Sequence, residues 1–197
     1  MDPIIHKTAE VSPEAKIGMG TKIWQNSQVL KGAVVGKDCV IGHNCLIAGG
    51  AKIGDGVKIQ SNTDVWEGVT LDDYVFVGPS AVFTNDPNPR AKYPKNDFPQ
   101  YGKWLPTLVK EGATIGANAT IICGAVVGKW AFIGAGAVVK GEIPAYALMV
   151  GVPAKHIGWL CECANKIIFK DDKAVCAVCK RKFAQNQNSV SEIKNIF

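Results

Sequence analysis

The chain has 197 residues, of which 47% are hydrophobic and 20% are charged, with a formal net charge of +5. This length suits one domain, or one domain with an appendage. No run approaches the ~18 consecutive apolar residues of a membrane span, and the N-terminus lacks the basic and apolar segments of a signal peptide. We therefore expect a cytoplasmic protein without a membrane partner. Its lysines are scattered, without a basic block interleaved with aromatics, so no nucleic-acid partner is expected either.

A ladder of aliphatic residues spaced six apart runs through most of the chain. Two residues before each rung stands a small or slim residue, and glycine often follows the rung. A helix would instead need apolar spacings of three and four, and an ordinary strand would need longer alternation. The rungs are Ile5, Val11, Ile17, Ile23, Val29, Val35, Ile41, Ile47, Ile53, Ile59, Val65, Leu71, Val77 and Phe83, then Val109, Ile115, Ile121, Val127, Ile133 and Val139.

Each hexad predicts a short strand followed by a turn. The slim residue and the rung lie two apart, so both side chains point to the same side of an extended segment. The glycine after the rung stands where the chain must bend. Stacked segments of this kind form a parallel β-helix, a solenoid whose coils share one continuous core. The predicted fold class is therefore all-β.

The rungs, glycines and slim residues resemble the left-handed parallel β-helix of the hexapeptide acyltransferases over roughly residues 1–159. The resemblance implies three hexads per triangular coil, left-handed winding and acetyl-CoA as the acyl donor. Outward residues such as Val34, Phe76 and Val82 would leave apolar rows on the flat faces, which a second copy can cover. We therefore expect a homo-oligomer, and the resemblance implies a homotrimer.

The ladder is interrupted between Phe83 and Val109, where about 20 residues are inserted. The inserted loop, residues 85–106, has no period and is rich in proline and aromatic residues. A long excursion from a compact core is usually functional or disordered, and the aromatics favour function. Within it, Arg90 is one of two arginines against 20 lysines. Because a guanidinium can donate two parallel hydrogen bonds to a carboxylate or phosphate, we expect Arg90 to bind an anionic part of a substrate.

Two segments at the start of this loop resemble one subgroup of the family. Gly-Pro-Ser-x-x-Phe-Thr-Asn at 78–85 and Asn-Pro-Arg-Ala at 88–91 are similar to acetyltransferases of 3-amino nucleotide sugars. The resemblance implies that the acceptor is UDP-2-acetamido-3-amino-2,3-dideoxyglucuronate, in surface polysaccharide (O-antigen) biosynthesis. It also implies that Asn85 is the catalytic residue beside the reacting amine. An amide is a poor base, so Asn85 would orient the amine while the departing coenzyme A thiolate takes the proton.

Further substrate and coenzyme residues are expected on neighbouring coils. Asn62, Asp64 and Glu67 lie about one coil before Asn85, so we expect them to line the same pocket. The segment Gly-Val-Pro-Ala-Lys at 151–155 resembles the closing motif of acyl-CoA-dependent hexapeptide transferases, where the adenosine end of the coenzyme lies. The regular coils are expected to stop at residues 143–144, because proline cannot donate to a strand ladder. The expected coenzyme-binding residues are Gly116, Ala117, Gly134, Ala135 and Lys155.

The composition changes after residue 160. Two cysteine pairs, Cys161 with Cys163 and Cys176 with Cys179, bracket an apolar run and a charged turn. Four thiolates at this spacing predict a structural zinc ribbon over residues 160–183, although the first pair has one intervening residue instead of two. Residues 184–197 would form a polar tail, with a short helix from about residue 191.

Seven cysteines in a chain without a secretion signal predict thiols or metal ligands and not disulfides. Cys39 and Cys45 occupy slim positions of the ladder. They are therefore expected to pack as small hydrophobic side chains.

Three other functions remain open at the level of sequence, and a fourth is disfavoured. A dTDP-linked 3-amino-3,6-dideoxyhexose is the main competing acceptor. An O-acetyltransferase would need a histidine base, and His43 is the candidate. A non-enzymatic scaffold would use the cysteine appendage to bind a partner. A γ-type carbonic anhydrase needs three zinc-binding histidines at one subunit interface, and His6, His43 and His156 are too dispersed along the chain for that.

Overall fold

A computed structural model describes residues 1–92, 103–187 and 189–193. These residues form 27 short strands and no helix, so no described helix could cross a membrane. The strands are β1 (Ile4–Ile5), β2 (Glu10–Val11), β3 (Lys16–Ile17), β4 (Lys22–Ile23), β5 (Gln28–Val29), β6 (Val34–Val35), β7 (Val40–Ile41), β8 (Leu46–Ile47), β9 (Lys52–Ile53), β10 (Lys58–Ile59), β11 (Asp64–Val65), β12 (Val69–Leu71), β13 (Phe76–Val77), β14 (Val82–Phe83), β15 (Thr107–Val109), β16 (Thr114–Ile115), β17 (Thr120–Ile121), β18 (Val126–Val127), β19 (Phe132–Ile133), β20 (Val138–Val139), β21 (Glu142–Ile143), β22 (Ala147–Val150), β23 (Lys155–Leu160), β24 (Lys166–Ile167), β25 (Lys173–Val175), β26 (Lys182–Asn186) and β27 (Ser189–Glu192).

Every third strand joins the same sheet, so the coils form a three-sided prism. Face 1 begins with β1, β4 and β7, face 2 with β2, β5 and β8, and face 3 with β3, β6 and β9. Among the strands from β1 to β22, pairing within each face is parallel, and Lys58 pairs with Val40 of the preceding coil. There are seven complete coils, and β22 adds one side of an eighth. This architecture confirms the predicted parallel β-helix and is consistent with the left-handed form that the resemblance implies.

The predicted ladder forms the core of the prism. From Ile23 to Val139 every rung is buried, and the slim residues of the same coils, such as Ala33 and Ala113, are buried beside them. Ile5 is 45% exposed because it lies in the first coil, where no coil packs beneath it. The residue before each rung points outward, so the two-residue strands separate core from surface as the hexads predict.

Glycine after the rung permits the close stacking of the corners. A Cβ added to Gly116 would lie 2.5 Å from the backbone nitrogen of Ala135 in the next coil, closer than side-chain carbons approach. The backbone N–H of Gly116 meanwhile donates to Ile133 at 2.8 Å. Corner glycines therefore allow successive coils to pair without a gap.

The insertion leaves the register of the prism unchanged. Thr70 of β12 pairs with Lys52 of β9 on one side and with Leu108 of β15 on the other, although the insertion separates β12 from β15 in the chain. The coils on either side of the insertion therefore stack in the same register. The chain leaves the coil at the corner after β14 and rejoins it at β15. Much of the inserted loop, residues 93–102, lies outside the described residues.

The expectation that coil pairing stops at Ile143–Pro144 is wrong. Pro144 lies at a corner between β21 and β22, where its missing N–H is not needed for the ladder. The next strand, β22, again pairs in parallel with β19, through Ile133 and Met149. The chain then reverses, and β23 and β24 extend face 1 in antiparallel fashion.

The C-terminal region forms a small antiparallel sheet of β25, β26 and β27. The predicted boundary between residues 183 and 184 falls inside β26. The short helix expected from Ser191 is also wrong, because Ser191 lies in β27 and pairs with Ala184. Strand pairing there gives the backbone groups partners that an isolated short helix would lack.

Cys39 and Cys45 pack in the core as expected. Their exposures are 0% and 2%, and each thiol donates to a backbone carbonyl, at 3.0 Å to Gly54 and 3.2 Å to Gln60. Burial raises the pKa of both thiols above the ordinary value. Both groups are therefore neutral side chains of the folded core.

Replacing Ile59 by alanine should lower the thermal midpoint of unfolding markedly. Ile59 is fully buried, and a large-to-small core change costs about 2–5 kcal/mol. Lys58 is the matched control, because it precedes Ile59 in the same strand and points outward. Lys58→Ala should stay within about 0.5 kcal/mol of the parent. Circular dichroism melts would compare them, and equal losses would contradict the assignment of the rungs to the core.

Cys39 and Cys45 should resist alkylation in the folded protein at pH 8. A raised thiol pKa reduces the reactive thiolate, and burial blocks the reagent. Iodoacetamide labelling followed by peptide mass spectrometry should find both unmodified in buffer and both modified in denaturant. Rapid labelling of either thiol in the folded protein would contradict their burial.

Candidate active site

The corner between faces 2 and 3 carries the inserted loop and a cleft. Residues three hexads apart stack there, because the strands on either side pair at that interval. Asn85 follows β14 and stands one coil above Glu67, which follows β11. The side chain of Glu67 in turn lies against Gly50 of the coil below: a Cβ added to Gly50 would be 3.1 Å from the Cγ of Glu67. One edge of the prism therefore brings together successive coils around Asn85.

The cleft at this edge, here called the loop-base cleft, has a volume of about 800 Å³. Its walls are mostly apolar, and two indole side chains contribute to them. Trp66 and Trp104 are 36% and 50% exposed, so both present surface that a ligand can cover. The residues that line it are Leu30, Lys31, Gly32, Ala48, Gly49, Trp66, Glu67, Asn85 and Trp104.

Backbone hydrogen bonds close the base of the loop and fix Asn85. The N–H of Leu105 donates to the carbonyl of Asn85 at 3.0 Å, and that of Thr107 donates to Gly68 at 3.1 Å. Beside them, the Thr84 hydroxyl accepts from the N–H of Cys123 at 2.9 Å. These hydrogen bonds join the segment after β14 to the segment before β15. Asn85 is therefore held at the cleft by rigid elements.

The charged groups of the cleft are Glu67 and Lys31. Lys31 forms an ion pair with Glu14 at 2.8 Å, but both side chains are well exposed, so the pair contributes little stability. Glu67 lies one coil from Asn85 and lines the same cleft. A carboxylate and an amide so placed can hold a polar group of a ligand between them. The amide of Asn85 is not a useful base.

The structure separates the other predicted substrate residues from this cleft. Asn62 lies at the corner between faces 1 and 2, where its amide oxygen accepts from Asn44 at 3.3 Å. Asp64 lies in β11 on the outer surface of face 2. Arg90 is exposed on the loop, and its guanidinium donates to the carbonyl of Pro89 at 2.8 Å. Of these substrate candidates, Glu67 alone lines the cleft with Asn85.

The predicted coenzyme residues do lie together, at the corner between faces 1 and 2. Gly116 and Ala117 lie directly beneath Gly134 and Ala135, and the N–H of Gly136 donates to the carbonyl of Ala117 at 2.8 Å. We call this edge the glycine corner. It ends at the turn before β23, because the N–H of Val138 donates to Gly151 and that of Ala154 donates to Val138.

Lys155 begins β23 immediately after this turn and is exposed. It therefore stands at the last coil of the glycine corner, where the resemblance implies the adenosine end of the coenzyme. His43 lies on the same corner four coils below Gly134, and its Nδ1 is 2.7 Å from the Ser61 hydroxyl. His43 is not among the residues that line the loop-base cleft.

The four C-terminal cysteines also converge. Their sulfur atoms all lie within 4.8 Å of one another, which suits a tetrahedral thiolate site. The backbone N–H of Asn165 lowers the pKa of the Cys163 thiol to about 6, and that of Arg181 lowers the pKa of Cys179. Cys161 and Cys176 complete the group, which lies apart from both corners described above.

The sequence contained a signal for the cleft walls that spacing could have revealed. Leu30, Ala48 and Trp66, which line the cleft, succeed one another at intervals of three hexads, and each follows a rung of face 2. Residues at one position of successive coils necessarily share a corner. Trp104 had no such signal, because it lies in the insertion, outside the period.

The three-sided parallel coil and its corner cleft define a class of protein, the hexapeptide-repeat solenoids. The family described as Bacterial transferase hexapeptide (six repeats) matches residues 14–49, 50–85 and 106–141, more than half of the chain. The match omits residues 86–105, which belong to the inserted loop. The chain belongs to this family of bacterial hexapeptide transferases.

Individual relatives are similar over shorter lengths. A dTDP-3-amino-3,6-dideoxy-alpha-D-galactopyranose 3-N-acetyltransferase of Aneurinibacillus thermoaerophilus is 44% identical over 87 residues, 44% of this chain and 45% of that protein. A 2,3,4,5-tetrahydropyridine-2,6-dicarboxylate N-acetyltransferase of Staphylococcus aureus is 46% identical over 52 residues, 26% of this chain and 22% of that protein. The chain therefore spans less than half the length of these curated relatives.

A solved structure is similar over most of this chain. The acetyltransferase domain of PglB from Neisseria gonorrhoeae superposes with a TM-score of 0.51 at 26% identity, covering 79% of this chain and 57% of that one. The same domain has been solved in complex with acetyl coenzyme A, with the same score and coverage.

Proposed function

We propose that the protein is an acetyl-CoA-dependent N-acetyltransferase that modifies the 3-amino group of a nucleotide-linked sugar. The observation that carries the proposal is the loop-base cleft, which Asn85 and Glu67 line together with Trp66 and Trp104. The name of the Aneurinibacillus relative, which acts on a 3-amino sugar nucleotide, supports the acceptor class. The acetyl coenzyme A complex of the Neisseria domain supports the donor.

The specific acceptor substrate is proposed to be either UDP-2-acetamido-3-amino-2,3-dideoxyglucuronate or a dTDP-linked 3-amino-3,6-dideoxyhexose. The motif around Asn85 favours the first, as part of O-antigen synthesis, and the relative's name favours the second. Both present the same reacting group, a sugar 3-amine. They differ in the base and in the carboxylate at C5, so direct comparison of the two substrates distinguishes them.

The proposed chemistry requires positioning more than acid–base catalysis. The neutral amine attacks the thioester carbonyl, a C–N bond forms, and the C–S bond to coenzyme A breaks. Asn85 and Glu67 would accept hydrogen bonds from the amine and a neighbouring sugar group, fixing the nitrogen against the carbonyl. The amine loses its proton to the departing thiolate, so no histidine is needed in the cleft.

The indoles suit the remainder of the acceptor. Trp66 and Trp104 present partly exposed rings at the cleft, and aromatic side chains stack on nucleobases and on the apolar faces of sugars. Arg90 does not line the cleft, but it is exposed on the same loop as Trp104, and its guanidinium would bind a diphosphate or a sugar carboxylate that extends beyond the cleft.

Donor and acceptor would come from two copies of the chain. The glycine corner and the loop-base cleft lie on different edges of one prism, separated by face 2. Partly exposed apolar residues on the faces, such as Val34, Phe76 and Val82, leave surface for another copy. In a cyclic trimer the glycine corner of one copy can face the cleft of the next, so each site would be shared.

A substrate panel tests the activity. Purified protein with acetyl-CoA should transfer acetyl to a 3-amino sugar nucleotide. The reaction is measured through the release of the coenzyme A thiol. The 4-amino isomer and the 3-hydroxy analogue are the controls, and both should react at least about 100-fold more slowly, because misplacement of the nucleophile is costly. Faster reaction of the 3-hydroxy analogue, abolished in His43→Ala, would instead establish an O-acetyltransferase.

Asn85→Ala should lower kcat/KM by roughly 100-fold through loss of amine orientation. Asn85→Asp should shift the pH–rate profile to higher pH, because a carboxylate stabilises the unreactive ammonium form and raises the pKa of the amine. Asn62→Ala is the control, since Asn62 lies at the other corner. Equal effects of Asn85→Ala and Asn62→Ala on kcat/KM would contradict the site.

Acetyl-CoA should raise the thermal midpoint of the parent protein, by linkage to binding of the folded state. Ala135→Trp should abolish this rise by filling the glycine corner, and Ala135 is exposed at a non-strained position. Asn85→Ala should retain the rise, because it alters the acceptor cleft only. A scaffold protein without donor binding would show no rise in any of the three.

A further inference from the structure

The C-terminal cysteines form a compact group of four sulfur atoms drawn from two segments. Cys161 and Cys163 follow β23, and Cys176 and Cys179 follow β25. The sulfur of Cys161 lies 3.3 Å from that of Cys179, and the sulfur of Cys163 lies 3.5 Å from that of Cys176. A tetrahedral zinc site with Zn–S bonds of about 2.3 Å has sulfur separations of about 3.8 Å. The group therefore has the size of a tetrathiolate centre.

The surroundings of the sulfurs resemble an outer shell for such a centre. The side-chain amide of Asn165 lies 3.5 Å from the Cys163 sulfur and also donates to the Cys163 carbonyl at 3.1 Å. Arg181 forms ion pairs with Glu162 at 3.1 Å and with Glu192 at 3.4 Å, which ties the two cysteine segments to β27. Groups that orient metal ligands in this way commonly accompany structural sites.

The appendage packs on the end of the prism. Residues of β23 to β27, including Trp159, Phe183 and Val190, belong to the same buried cluster as the last coils. Tyr146, beside the final corner, meets the ring of Phe183 edge-on with centroids 5.3 Å apart. Solenoids need a cap at the end of their core, and the buried cluster of the last coils continues into this sheet.

So small a sheet has little apolar area of its own. Domains of a few tens of residues usually require a metal or disulfides in addition to packing. We propose that one zinc ion, bound by Cys161, Cys163, Cys176 and Cys179, holds the C-terminal sheet as the cap of the β-helix. All four sulfurs then act as thiolates in a closed tetrahedral site without an open position for substrate, so the role of the metal is structural. This inference is independent of the transferase activity proposed above.

Metal content of the full chain tests the proposal. Protein purified without chelators should contain about one equivalent of zinc by plasma mass spectrometry. Cys163→Ser and Cys176→Ser should each contain almost none. Cys45→Ser is the matched control, because Cys45 is a buried cysteine of the prism core, and it should retain the zinc. Less than half an equivalent in the parent, or iron in place of zinc, would overturn the assignment.

Removing the metal from the parent provides a second readout that does not depend on how the variants fold. A mercurial should release the zinc, measured with a chromogenic chelator, and hydrogen exchange should then rise in β25 to β27 but not in β10 to β14. Re-adding zinc after removal of the mercurial should restore protection. Unchanged exchange on zinc release would show that the cap does not depend on the metal. Intact-mass detection of two disulfides in the protein as purified would equally overturn the proposal.

Discussion

The rest of the structure depends on one constraint: after three hexads the chain must return to the same position, one coil higher. Only then does each backbone N–H reach the carbonyl of the neighbouring coil, and only then do aliphatic rungs stack on aliphatic rungs. Burial of this continuous column is the main favourable term, at about 25 cal/mol for each Å² of apolar surface removed from water. Inward positions are therefore restricted to slim and aliphatic residues, whereas variation is confined to faces and corners.

This constraint explains how one simple repeat presents two chemically different edges. A corner repeats every coil, so its residues form a row that runs along the prism. The row between faces 1 and 2 consists largely of small residues around Gly116 and Gly134, which leave the backbone accessible. The row between faces 2 and 3 carries Trp66, Glu67 and Asn85 instead, at the corner where the insertion begins. The insertion interrupts a corner and not a strand, so the register on either side is preserved.

The fold could be predicted almost completely because its signal is periodic, and chance does not maintain a phase over so many rungs. The site was harder to predict because its residues depend on the position within each coil. Glu67 lies one whole coil before Asn85 and shares its corner, but Asn62 lies most of a further hexad back, at the neighbouring corner of the triangle. The predicted end of the β-helix coils at Pro144 is wrong because Pro144 stands at a corner, where no ladder hydrogen bond is required. Trp104 could not be placed, since the insertion follows no period, and the strand at Ser191 depends on a tertiary partner, β26.

The central claim is that Asn85 of one copy acts with the glycine corner of another. The most direct measurement mixes two inactive variants, Asn85→Ala and Ala135→Trp, by unfolding them together and refolding at equal concentrations. If each site is shared between neighbouring copies, random mixing restores both native halves in about a quarter of the sites, and activity should recover to about a quarter of the parent value. If both halves belong to one chain, no mixture contains an intact site. Activity that stays at the level of the separate variants, in assemblies shown to be mixed by mass, would contradict the account.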